Sequence, residues 1–232
     1  SIADWLEFDS TERNVIALVL FMILTISIIN AGVQDGIEKW ARRLMPALIT
    51  ILIALSLYVF TLPGALVGLQ AYLIPDFTRV ASAELLVDAM GQAFFSLSLG
   101  VGTMLVYGSY LSKEENLPMI GGLVALLDVG IAVQAGLLIL PAMYVALESG
   151  VEIFDSQGNL IAGPRLIVSV LPNLFGTMGS IGLFVGFSFF ALMTIASLTS
   201  SISMLEVPVS YAVEELKFSR SRASVSIGGF VT

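Results

Sequence analysis

A chain of 232 residues that is 57% hydrophobic and only 12% charged, with a mean hydropathy of +0.96, has too little polar surface for a soluble domain, in which about a quarter of residues carry charge. Its net charge of −8 argues against nucleic acid, which selects basic patches. The lack of cysteine removes disulfides, zinc thiolates and thiol catalysis, and the lack of histidine removes the usual general base and metal ligand.

The opening SIADWLEFDSTERN carries no initiator Met, no basic n-region and no apolar h-region, so the chain reads as a piece cut from a longer protein. A spanning helix needs about 20 mostly apolar residues. Segments meeting that length run roughly over 14–31, 43–62, 86–111, 118–147 and 178–213. The chain thus reads as one partial transmembrane domain, 1–232, of about five spans. The connections differ in kind. QDGIEKWARR is short and basic, and TLPGALVGLQAYLIPDFTRVASAE is long, with Pro63, Gly64 and Pro75 preventing one continuous helix. LSKEENLP is a tight polar turn, ESGVEIFDSQGNLIAGPRLIVSVLPNLFG is a long loop with Pro164 and Pro172, and EELKFSRSRA is basic before a further helix expected near Ser219.

Cations are retained on the cytoplasmic side of a membrane protein. The loops 32–43, 112–118 and 214–224 share one side and contain Lys39, Arg42, Arg43, Lys113, Lys217, Arg220 and Arg222, whereas the other side has Arg13, Arg79 and Arg165. The first set is expected to be cytoplasmic in a multi-pass protein of the cell (inner) membrane, and the two long Pro-rich loops face outward.

Within the third span, FFSLSLGVG places two serines and two glycines at the centre of an apolar run. Broken helix is tolerated in hydrocarbon only where protein or a polar cavity covers the freed backbone groups. Such residues serve close packing as readily as binding, and both readings stand. The same holds for ASLTSSIS, where Ala196, Thr199 and Ser200 fall at i, i+3 and i+4. That spacing sets two hydroxyls and a carbonyl edge on one helix face, the hard oxygen ligands a sodium ion takes. The acids Asp128 and Glu206 also lie in spans, where a charge is costly and usually faces a cavity, an ion or a partner. Glu206 is expected to reach the cytoplasmic vestibule; Asp128 has no such exit and no cation in a span to neutralise it, which favours a functional role.

GQAFFSLSLGVG followed by VYGSYL resembles the sixth helix of neurotransmitter:sodium symporters, a family that includes bacterial amino-acid transporters. QDGIEKWARRLMP resembles the join between that family's fourth and fifth helices, IAVQAGLLILPAM its seventh helix, and IASLTSSISMLEVPVSYAVEELKFSR its eighth. The matches run in order along nearly the whole chain. The resemblance implies an all-α, polytopic, inverted-repeat transporter fold, here partial, with the discontinuity at Ser96–Gly102. It implies helices four to eight and the start of nine, with the flanking helices of the same transporter as missing partners.

The resemblance also implies roles. Ser96 gives oxygens to a first sodium, Phe95 forms a lid over the substrate, and Ser98, Gly100, Val101 and Gly102 line its pocket, with Ser203 and Met204 beside the substrate side chain. Asp128 falls on a first-sodium ligand position that is commonly Asn. Ala196, Thr199 and Ser200 fall on a second sodium site, and Tyr110 and Glu214 on an inner-gate tyrosine and acid. Both sodium sites are incomplete in this length of chain. Chloride-dependent members build an anion site at positions that here read Gln92, Ser96, Asp128 and Ala132, so chloride is not expected. The implied activity is sodium-coupled symport of a neutral, apolar amino acid across the lipid bilayer, with no enzymatic step. A channel or differently coupled transporter, and a non-transporting membrane fragment, are the competing classes.

Overall fold

The computed structural model describes residues 11–74, 82–156, 158, 160, 161, 163 and 166–231. Helix α1 (Thr11–Asn30) is followed by a π-helical turn, Val33–Glu38, leading into α2 (Lys39–Val59). A short α3 (Ala65–Leu73) precedes α4 (Ala83–Ser96), a 3₁₀ turn over Leu99–Val101, and α5 (Thr103–Ser109). Then come α6 (Leu117–Glu148), a π-helical turn Leu166–Val170, α7 (Leu171–Thr177), α8 (Gly179–Glu214) and α9 (Arg220–Val231). The fold is all-α.

Among the described residues four helices are long and apolar enough to cross a membrane: Glu12–Asn30, Val33–Val59, Leu117–Glu148 and Gly179–Glu214. No more than 33% of the most apolar window in any of them is buried. Self-burial therefore does not account for their hydrophobicity, whereas an apolar solvent or further apolar helices do. The remaining expected span is the interrupted pair α4 and α5, too broken to count as one helix.

Two connections differ from the sequence-based expectation. Residues 32–43 are not a loop: helix resumes almost at once, so Lys39, Arg42 and Arg43 lie on α2, and only Ala31 and Gly32 separate α1 from the π-helical turn that leads into it. Between Gly36 and Arg43 the sequence has no glycine or proline to break a helix, and Glu38 pairs with Arg42 one turn on. Gly36 itself is required by crowding, since a Cβ there would fall 2.0 Å from the Ile28 carbonyl oxygen. The stretch expected to be a long outer loop contains α7, with Pro172 in its first turn, where the missing N–H costs nothing. The outer-side markers Pro75, Arg79, Pro164 and Arg165 lie outside the described residues. Helix α9 begins where expected, with Ser219 Oγ accepting from the Arg222 N–H at 3.4 Å.

The chain forms two compact units, and α2, α6 and α8 contribute to both. The described residues of one are Thr11 and those within Ala47–Pro75 and Ile131–Thr194. There α2 buries Leu48, Leu52, Leu55, Ser56 and Val59, a stripe at helical spacing. Phe175 of α7 packs on Phe189 of α8 with ring centroids 5.6 Å apart. The buried Ser56 hydroxyl accepts from Gln134 Nε2 at 3.0 Å and donates to the Leu52 carbonyl at 2.9 Å, so neither polar group is left bare in an apolar interior.

The described residues of the other unit fall within Glu12–Pro46, Asp76–Gly130 and Ile195–Thr232. Its core joins Met22, Ile28 and Ile29 of α1, Ile37, the α8 stripe Leu198, Ile202, Leu205, Val209 and Ala212, and Ala223 of α9. Every residue given a site role from the sequence, except Ala132, belongs to this unit.

Candidate functional site

The site is built on the break between α4 and α5. Ser82 caps α4, its hydroxyl accepting from the Leu85 N–H at 3.2 Å, and the helix runs to Ser96. The chain then enters the left-handed region at Ser98, with φ of 52°, and again at Gly102, with φ of 87°. Glycine adopts that conformation freely, whereas a serine there stores strain on the order of 1 kcal/mol. Two left-handed residues around a 3₁₀ turn end the regular ladder, and helix resumes at Thr103 with the Val106 N–H on the Gly102 carbonyl at 3.1 Å. Phe95 and Val101 are 81% and 49% exposed, so the break presents apolar side chains beside its freed backbone.

Asp128, half-buried on α6, faces this break. The Ser96 hydroxyl lies 2.7 Å from Oδ1 and 2.9 Å from Oδ2, donating to the carboxylate. Among the described residues no Lys or Arg pairs with Asp128, so its charge has a neutral donor but no counter-charge. Gln92 stands one turn before Ser96 on α4, and Ala132 one turn after Asp128 on α6.

On α8 the Thr199 hydroxyl donates to the Ala196 carbonyl at 2.9 Å, setting both oxygens on one face with Ser200 one residue on. Ser203 Oγ donates to the Thr199 carbonyl at 3.1 Å and accepts from the Tyr107 hydroxyl at 3.0 Å. Met204, next to Ser203, is 56% exposed. Thr103, the first residue of α5, is buried, and its hydroxyl has no partner among the described residues.

The expected gate pair is arranged differently. Tyr110 donates to Glu206 Oε1 at 2.6 Å, not to Glu214. Glu206 does not open to a vestibule: it is fully buried, and Arg220 Nη2 donates to its other oxygen at 2.7 Å. Arg220 Nε also donates to the Ile29 carbonyl at 2.7 Å, at the end of α1. Glu214 is exposed, two turns beyond Glu206, with its carbonyl accepting from Lys217 Nζ at 2.5 Å. Tyr107 and Arg220 are site residues that the sequence reading missed. The matched spacing of Tyr107 and Tyr110 with Ser203 and Glu206, three residues in each case, was the available signal.

Apolar helices of spanning length, a discontinuous helix and a carboxylate beside it with no cationic partner among the described residues are the features of a polytopic membrane transporter. The chain belongs to the sodium:neurotransmitter symporter family, whose model matches residues 7–231. It is 37% identical over 207 residues to an uncharacterized sodium-dependent transporter of Haemophilus influenzae, covering 89% of this chain and 43% of the relative. It is 38% identical over 198 residues to one of Bacillus subtilis, covering 83% and 40%. The sodium-dependent serotonin transporter of Drosophila melanogaster is 28% identical over 214 residues, covering 90% and 33%. Among solved structures, that of MhsT in complex with L-phenylalanine is similar with a TM-score of 0.76 and 40% identity, over 92% of this chain and 46% of that one. The chain therefore spans less than half the length of the curated relatives it matches. The family is one of transporters, not enzymes.

Proposed function

We propose that this chain contributes half of the binding machinery of a transporter that couples sodium to the uptake of a neutral, apolar amino acid by alternating access. The observation that carries the reading is the carboxylate of Asp128 at the helix break, hydrogen-bonded by Ser96 and, among the described residues, paired with no cationic side chain. A bound sodium ion would supply the missing charge, because a hard cation takes carboxylate, hydroxyl and carbonyl oxygens. Ala196, Thr199 and Ser200 would hold a second sodium.

Phe95, Val101 and Met204 offer apolar surface with no fixed charge, and burying an unpaired charged side chain against them would be expensive. The substrate carboxylate and ammonium are then left to freed backbone and sodium, with Ser98, Gly100, Gly102 and Ser203 completing the lining. That the related MhsT was solved with L-phenylalanine supports an amino acid of this kind. Tyr110 with Glu206, and Glu214 further out, would close the inner end. The loops bearing Lys113 and Lys217, and the start of α2, would face the cytoplasm across the inner membrane. Chloride is not required in this reading.

Uptake by the full-length transporter in proteoliposomes tests it. Sodium-dependent uptake of labelled phenylalanine is expected, with leucine and tryptophan competing and lysine and glutamate not. Equal competition by lysine or glutamate would contradict the apolar substrate, and uptake insensitive to sodium would contradict the coupling.

A further inference from the structure

Two side-chain hydrogen bonds join α5 and its C-terminal residue to α8. Tyr107 and Tyr110 donate to Ser203 and Glu206, and each pair is separated by 96 residues. The Tyr107 phenol begins a chain of bonds: to Ser203 Oγ at 3.0 Å, then from Ser203 to the Thr199 carbonyl at 3.1 Å, while the Thr199 hydroxyl lies on the Ala196 carbonyl at 2.9 Å. Tyr107 stands on the half-helix that follows the break, and the chain ends on the α8 turn bearing the second group of sodium oxygens.

We propose that Tyr107 is a positioning residue that ties α5 to the sodium-bearing turn of α8, so that substrate at the break and sodium on α8 favour the same placement of the two helices. The inference rests on the second sodium site of the preceding section. Two ligands that stabilise one arrangement raise each other's affinity by the same factor. The tie carries that factor without Tyr107 touching either ligand. Without the phenol hydroxyl, Ser203 loses its donor from α5, and each helix settles around its own ligand.

Tyr107→Phe in the full-length transporter tests this by equilibrium binding of labelled phenylalanine and labelled sodium, each with and without the other. Sodium affinity without phenylalanine is expected to stay as in the wild type. The factor by which phenylalanine raises sodium affinity, and sodium raises phenylalanine affinity, is expected to fall about three- to tenfold, the range of one hydrogen bond. Loss of packing alone would lower stability or both affinities and leave that factor unchanged. Ser203→Ala also removes a hydroxyl from the substrate lining and so lowers phenylalanine affinity by itself, but the coupling factor is expected to fall equally, and in the double variant no further, because both break one link. An unchanged factor in Tyr107→Phe, or additive losses in the double variant, would overturn the proposal. Thr199→Ala with Ser200→Ala separates the two levels. If that variant keeps wild-type sodium affinity, the second sodium site fails and the tie with it. If it loses sodium affinity while Tyr107→Phe keeps full coupling, the tie alone fails.

Discussion

Glu206 accepts two hydrogen bonds on separate oxygens, from the Tyr110 hydroxyl at 2.6 Å and from Arg220 Nη2 at 2.7 Å. The carboxylate is fully buried, whereas the Arg220 side chain keeps 24% of its surface exposed. One acid thus holds the end of the broken helix and the start of α9, and Arg220 extends the hold to α1 through the Ile29 carbonyl.

Removing the cation from such a pair leaves a buried charge uncompensated, which costs about 3–5 kcal/mol. Arg220→Gln is therefore expected to destabilise the full-length transporter strongly in a thermal unfolding measurement. Glu206→Gln added to it should restore most of the loss, since two amides and the phenol can still hydrogen-bond one another. A double variant as unstable as Arg220→Gln alone would mean that the Ile29 contact, not the ion pair, holds the structure.

Tyr110→Phe removes one bond to the same acid while keeping the ring that lies 6.3 Å from Tyr107. A hydrogen bond to a charged group contributes about 1.5–3 kcal/mol, and an equilibrium between conformations shifts by whatever the variant loses in only one of them. Distances between spin labels across the inner vestibule are expected to move toward the open-inside population. An unchanged distance distribution would leave Tyr110 a packing residue rather than part of a gate.

Thr103 presents the opposite case, a buried hydroxyl without a partner among the described residues. Such a group forfeits its hydration for nothing, at about 1–3 kcal/mol. Thr103→Val keeps the shape and removes the oxygen, so the melting temperature of the full-length transporter is expected to rise. A fall would show that the hydroxyl has a partner there, such as an ordered water.

Much of this arrangement was legible in the sequence where one segment decides the matter. The apolar runs of α1, α2, α6 and α8 are long enough to need no tertiary information, and SLSLGVG announces its break because serine and glycine interrupt an apolar helix at the level where backbone cannot be left bare. What was not legible depends on how distant segments meet. Tyr110 finds Glu206 rather than Glu214 because α5 ends level with a turn of α8 that lies 96 residues away in the chain. The partner of Glu206 lies past the span, on α9, where Arg220 read only as a surface cation. Helix α7 was hidden by Pro172, since a proline breaks a helix interior but not a first turn. The ligand roles came from motif resemblance; periodicity alone left packing and binding equally open.

The pair Asp128 and Ala132 bears on which ions the transporter needs. Both lie on α6 one turn apart, and the Ser96 hydroxyl is already directed at the Asp128 carboxylate. At the anion position that the family resemblance gives to Gln92, Ser96 and Asp128, a chloride ion would meet a fixed negative charge, and like charges repel strongly where solvent is scarce. The resemblance gives the position of Ala132 to a serine, so the hydroxyl donor is missing from the sequence there. In the proposed reading the Asp128 carboxylate carries the balancing charge itself, beside the first sodium. Uptake by the wild-type transporter is thus expected to persist when chloride is replaced by gluconate. Asp128→Asn with Ala132→Ser removes the fixed charge and adds the donor, so this variant should be weakly active in gluconate and regain activity with added chloride. Wild-type uptake that collapses in gluconate would mean that Asp128 does not stand in for the anion.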